Sequence, residues 1–163
     1  MRIVKLVLIS AVVLFGIILL ISLLLPSQVR ISRAIDISAP PAKIYALAAD
    51  IQQWDKWNEY VRVYQHRVTG SDVLRADDIT ISITGKTDSL VTAEWLQPSG
   101  YKFGSGFAII TGNEGRGHTT VQWYFDFHVK WYPWEKFQSI VYDEQLGPVM
   151  EKSLANLKKM AEE

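Results

Sequence analysis

Cysteine is absent from the 163 residues. That excludes disulfides, thiolate metal sites, a lipidated cysteine and a cysteine nucleophile. Charge of either sign is not in excess, since Lys plus Arg and Asp plus Glu each number 17. A neutral chain lacks the basic surplus that nucleic-acid binding draws on, so no nucleic-acid partner is expected. Histidine is scarce: His66, His118 and His128 are the 3 in the chain. None falls in a metal-binding spacing such as His-Glu-x-x-His, so neither a metal site nor a cofactor is expected. Long apolar runs are missing from everything after Leu25.

The one such run lies at the start. Leu6 to Leu25 is interrupted only by Ser10, Gly16 and Ser22. At about 1.5 Å per residue, about 20 residues cross a hydrocarbon core of about 30 Å. Arg2 and Lys5 precede it as they would in a signal peptide, but the stretch is long for one and Leu-Pro-Ser-Gln-Val after it offers no small-x-small cleavage site. Residues 1–26 are therefore expected to be an uncleaved, single-pass membrane anchor, with residues 27–163 as one folded domain. Arg2, Lys5 and the free amine favour a cytoplasmic N-terminus, while Arg30 and Arg33 pull the other way. The balance places the domain on the extracytoplasmic side.

Within the domain, Val29, Ile31, Ile35 and Ile37 alternate with Arg30, Ser32, Ala34 and Asp36, the pattern of a strand with one buried face. Arg33 falls on the apolar side and reads as a strand-end arginine snorkelling to water, with a contact to a ligand anion as the alternative. Pro40-Pro41 opens a short helix, and Asp50 is an N-cap for a second one carrying Ile51, Trp54 and Trp57. From Tyr60 to Val129 the pattern is strand after strand, beginning with Val61 and Val63 and punctuated by turns at 69–72, 85–86, 97–100 and 112–117. The last of these strands sets Val121, Trp123, Phe125, Phe127 and Val129 against Gln122, Tyr124, Asp126, His128 and Lys130. Residues 137–142 extend the sheet or form a loop. Leu146, Met150, Ser153, Leu157 and Met160 then recur at helical spacing, an amphipathic helix of about four turns.

The chemistry-bearing residues are few. Alternation puts Glu94, Asp126 and His128 on outward faces, and His66 opposite Val61 and Val63, while His118 adjoins a glycine-rich loop. Gly104-Ser105-Gly106 reads as a bulge or bend within a strand, since no helix start follows to make a phosphate cradle. Ser105 has no base near it in sequence, which argues against a nucleophile.

Two stretches carry a family resemblance. The first is Arg33-Ala34-Ile35-Asp36-Ile37, then Ala39-Pro40-Pro41-Ala42-Lys43-Ile44-Tyr45, Ala49-Asp50-Ile51 and Trp54-x-x-Trp57-Asn58. The second is Gly147, Met150-Glu151, Ser153-Leu154 and Leu157-Lys158. Together they resemble the START-like superfamily, also called SRPBCC or Bet v 1-like, and its polyketide cyclase/dehydrase-type members. Glu59 departs from the pattern, since many relatives have Pro soon after the second Trp. The resemblance implies an α+β helix-grip fold: a curved antiparallel sheet wrapped on a long C-terminal helix, two short helices after the first strand, and an apolar cavity between sheet and helix.

Three functions are carried forward. The leading one is a membrane-anchored carrier or sensor that binds a hydrophobic small molecule or lipid in a cavity lined by Ile35, Trp54, Trp57, Ile81, Trp95, Phe107, Trp123, Phe125 and Met150. Arg33, Tyr101 and Ser105 would supply its polar contacts. The second is an enzyme of polyketide cyclase/dehydrase type drawing on those three polar residues, although the family has no shared catalytic set to transfer. The third is a protein-interaction module at the membrane.

Overall fold

The computed structural model describes residues 2–63, 66–111 and 118–163, with 66–69 described by their backbone alone. Helix α1 (Arg2–Leu24) is followed after a short link by strand β1 (Gln28–Ile37). Helix α2 (Pro41–Ala49), a 3-10 turn (Ile51–Gln53) and two one-turn helices, α3 (Trp54–Trp57) and α4 (Glu59–Arg62), come next. Six strands follow: β2 (His66–Thr69), β3 (Val73–Ala76), β4 (Ile79–Lys86), β5 (Leu90–Leu96), β6 (Lys102–Thr111) and β7 (Thr119–His128). Two helices, α5 (Pro133–Ile140) and α6 (Tyr142–Glu162), close the chain.

All strands join one antiparallel sheet in the order β1-β7-β6-β5-β4-β3-β2. Consecutive strands pair as hairpins, except that β1 pairs with β7, matching Gln28 to His128 and Ile37 to Thr119. Strand alternation turns Val121, Trp123, Phe125 and Phe127 of β7 to the same buried side as Phe103, Phe107 and Ile109 of β6. Helix α6 covers that side with Met150, Leu154, Leu157 and Ala161, all buried. This is the helix-grip arrangement.

Several local expectations hold for physical reasons the structure makes visible. Pro41 occupies the first turn of α2, and the Asp50 carboxylate accepts from the Gln52 amide to start the 3-10 turn. Others are corrected. Residues 60–63 do not begin the strand run: Asn58 Oδ1 accepts from the amides of Tyr60 and Val61 and caps α4 there. Residues 137–142 are the end of α5 and the start of α6 with Val141 as the turn between them, not an extension of the sheet. Strand β4 continues through Lys86, with its irregularity between Ile83 and Gly85. No bulge occurs at Gly104-Ser105-Gly106, where β6 stays in register with both neighbours. Gly106 serves close approach instead, because the ring of Tyr124 fills the space its Cβ would need. The C-terminal helix starts at Tyr142, one turn before the first apolar position that marks it in the sequence. The 112–117 turn and the facing of the His66 side chain lie outside the described residues.

Candidate functional site

The interior between sheet and α6 is occupied by rings. Trp54, Trp57, Trp95, Phe107, Trp123 and Phe125 are among the largest fully buried side chains. They touch edge-to-face and in stacks: Trp57 lies 5.3 Å from Phe107, Phe107 4.9 Å from Trp123, and Trp95 5.2 Å from Phe125, centroid to centroid. The Trp54 and Trp57 indoles also donate to the carbonyls of Ala48 and Leu47, which locks α3 against α2.

Open space remains at one end of this interior. A cleft of about 380 Å³ lies where the end of β5, the start of β6 and the end of β7 meet the α5–α6 junction. Its apolar wall is Phe103, Phe125 and Phe127, and its polar groups include Tyr101, Glu135, Gln138, Tyr142 and Gln145. Phe127 bridges the two layers, 5.0 Å from Phe103 and 5.0 Å from Tyr142. Tyr101 Oη donates to the His128 carbonyl at 3.1 Å. Burial pushes the phenols of both Tyr101 and Tyr142 up, reinforced by Glu135 nearby, so both stay protonated and able to donate at neutral pH. Glu135 is held in place by accepting the Lys130 amide at 2.9 Å.

The residues singled out from the sequence separate into two groups. Phe125 and Tyr101 line the cleft. Trp54, Trp57, Ile81, Trp95, Phe107, Trp123 and Met150 fill the core and face one another, and Ile35 packs against them partly buried. Arg33 does not snorkel alone. Its Nε donates to Glu151 at 2.8 Å and its Nη1 to Asp143 at 2.9 Å, and those two carboxylates hold the guanidinium on the outer flank of α6. Ser105 is buried and accepts from the Trp95 indole at 2.8 Å, a core hydrogen bond. His128 is exposed at the cleft rim with its Nε2 3.2 Å from Gln28 Nε2, and His118 is exposed with Nδ1 2.9 Å from Ser38 Oγ. Asp126 and Glu94 point outward to Arg30 and Lys102. Among the described residues no cluster of His, Cys, Asp and Glu could hold a metal ion. Sequence reasoning missed Tyr142, Glu135, Gln138 and Gln145, because all four belong to a helix pair whose first half was not visible as helix.

Glu59 also finds its reason here. Its amide donates to Ser153 Oγ at 2.9 Å, a bond that a proline could not make. Its carboxylate gathers Lys152, Asn156 and Arg62, tying α4 to α6.

A curved antiparallel sheet gripping a long C-terminal helix, with a ring-lined cleft at one end, defines an α+β helix-grip class. The chain belongs to the family described as polyketide cyclase / dehydrase and lipid transport, whose model matches residues 28–162. No curated protein matches it by sequence. Among solved structures it is similar to the protein XoxI from Bacillus cereus, at 15% identity and TM-score 0.60 over 81% of this chain and 94% of that one. Norcoclaurine synthase from Thalictrum flavum is similar at 12% identity and TM-score 0.59, over 82% of this chain and 92% of the other. The di-domain ARO/CYC StfQ of the steffimycin biosynthetic pathway is similar at 9% identity and TM-score 0.61, over 83% of this chain and 51% of that longer one. At these identities the likeness is one of fold.

Proposed function

We propose that this protein is a membrane-anchored binder of a hydrophobic small molecule or lipid, and that the binding site is the cleft between β6, β7, α5 and α6. The observation that carries this reading is the composition of the cleft. Three phenylalanine rings form one wall, while two protonated tyrosines and the amides of Gln138 and Gln145 edge it. An apolar body with a polar end fits such a surface. A volume of about 380 Å³ is near the low end for ligand sites, so the cleft suits a small molecule or part of an acyl chain, not a whole phospholipid. Each buried CH2 contributes about 0.8 kcal/mol, so a few suffice for measurable binding.

The anchor is α1. It has 23 residues, is long and apolar enough to cross a bilayer, and leaves most of its side chains exposed. The positive charges at Arg2 and Lys5 favour a cytoplasmic N-terminus and hence an extracytoplasmic domain. A catalytic reading would rest on Tyr101, Tyr142 and Glu135, since Arg33 and Ser105 are engaged elsewhere.

The test is photo-crosslinking of the full chain in membranes with a diazirine-bearing fatty acid, mapped by peptide mass spectrometry. Adducts are expected on the segments 97–103, 125–130 and 142–146. They should fall several-fold in Gln145→Trp, which places a ring in the cleft from an exposed position. Adducts confined to α1, or unchanged in that variant, would overturn the site.

A further inference from the structure

Helix α5 is inside out with respect to water. Its buried residues are Pro133, Lys136 and Ser139, while Trp134, Phe137, Ile140 and the adjoining Val141 are exposed. The exposed positions recur at three and four and so form one face. Trp131 just before the helix is exposed as well, and Trp131, Tyr132 and Trp134 form a ladder of rings with centroids 4.8 and 4.9 Å apart. A helix that packs in water buries its apolar face. This one turns its apolar face outward and its lysine inward.

The place of α5 explains the inversion. It packs against α1. Ile18, Leu19 and Ser22 on the last two turns of α1, and Leu25 just after it, lose exposure. The buried Lys136 Nζ donates to the Leu25 carbonyl at 2.8 Å and to Ser27 Oγ at 2.8 Å, closing the C-terminal end of α1 with a cation. Twenty-three helical residues reach about 34 Å, slightly more than the hydrocarbon thickness. The last turns of α1 therefore sit at the boundary between acyl chains and headgroups, and α5 is fixed level with them. Trp and Tyr concentrate at that depth.

We propose that α5, with Trp131, is a second membrane contact, an interfacial helix whose Trp134, Phe137, Ile140 and Val141 face rests in the bilayer surface. The inference rests on the reading of α1 as a membrane anchor. It also adds to the proposed site: Glu135 and Gln138, on this same helix, line the cleft. Seating α5 in the interface holds the cleft at the lipid surface, so a lipid-derived ligand reaches it without crossing water.

The absence of cysteine makes the test direct. Single substitutions Phe137→Cys, Ile140→Cys, Val12→Cys and Asp88→Cys in the full chain, each spin-labelled and placed in phosphatidylcholine nanodiscs, report local access to oxygen against a water-soluble nickel chelate. Asp88 is exposed on the β4–β5 turn, at the opposite end of the sheet from the cleft. Positions 12, 137 and 140 are expected to favour oxygen several-fold over position 88. Nickel access at 137 and 140 with oxygen access at 12 would overturn the interfacial helix while leaving the anchor intact. Nickel access at 12 would overturn the anchor itself. Exclusion of both reagents at 137 and 140 would assign the face to a protein partner and also overturn the proposal. Two labelled positions on the helix keep the result readable if one variant folds poorly.

Discussion

The guanidinium of Arg33 lies against the backbone of Gly147, in the space a side chain at position 147 would occupy. From there one arginine of β1 reaches Asp143 and Glu151, two carboxylates spaced two turns apart on α6. A glycine inside a helix costs about 1 kcal/mol against alanine, so its presence here marks the passage of that side chain.

Gly147→Ala sets two effects of similar size against each other. The helix gains about 1 kcal/mol, and the displaced arginine loses two partly exposed ion pairs worth about 0.2–1 kcal/mol each. Thermal unfolding of the full chain in detergent should therefore change little. The contact shows in a double-mutant cycle, where Arg33→Ala should cost about 0.5–1 kcal/mol less in the Gly147→Ala background than in the parent. Equal costs in both backgrounds would contradict the packing.

The Glu59 carboxyl is held below the usual glutamate range, first by its hydrogen bond to Lys152 and also by Asn156 and Arg62. A carboxyl depressed in the folded state contributes stability that is present above the ordinary glutamate value and is lost as pH falls through the lowered one. Glu59→Gln should thus lower Tm at about pH 7, with the gap to the parent closing as pH falls below the ordinary glutamate value. A gap independent of pH would assign the loss to packing and not to charge.

Trp95 and Trp123 offer a matched pair. Both are fully buried, but the Trp95 indole donates to Ser105 while the Trp123 indole N–H has no partner among the described residues. Phenylalanine at position 95 leaves the Ser105 hydroxyl without its donor. At position 123 the same change removes an unpaired donor and offsets part of the lost volume. Chemical denaturation should find Trp95→Phe the more damaging by about 1–2 kcal/mol. The reverse order would mean the indole at 123 is bonded after all.

Lys136→Met keeps the length of the side chain and removes both bonds to the end of α1. Hydrogen bonds from a charged group contribute about 1.5–3 kcal/mol, so amide exchange across residues 25–29 should speed up about tenfold or more while the centre of β6 is unchanged. Val129, whose amide donates to the Ser27 carbonyl, is the sensitive probe. Unaltered exchange there would show that the link between α1 and the domain does not depend on Lys136.

The outline of the domain was legible in the sequence, because β1, β6, β7 and α6 carry long stretches of clean periodicity. Two short segments were not. Val61 and Val63 alternate over too few residues to separate strand from helix, and Asn58 decides the matter by capping. Helix α5 does not follow the usual rule of apolar residues inside, since its buried face is Pro133, Lys136 and Ser139. The site was legible in part. The aromatic residues expected around a cavity are largely the material that fills it, because seven large rings meeting at 5 to 6 Å leave little room between sheet and helix. The free space lies at the end of the sheet, where Phe125 and Tyr101 meet residues of α5 and α6 that no sequence pattern singles out.

The pairing of β1 with β7 has a consequence for how the molecule is made. The two strands matched at Gln28 and His128 stand 100 positions apart, so the first strand to leave the ribosome must wait for the last. At about 5–20 residues per second the delay is roughly 5–20 s. Throughout it an amphipathic strand is without its partner. During that interval the unpaired edge of the strand is open to pairing with another chain, so the molecule is most prone to aggregate before β7 is made.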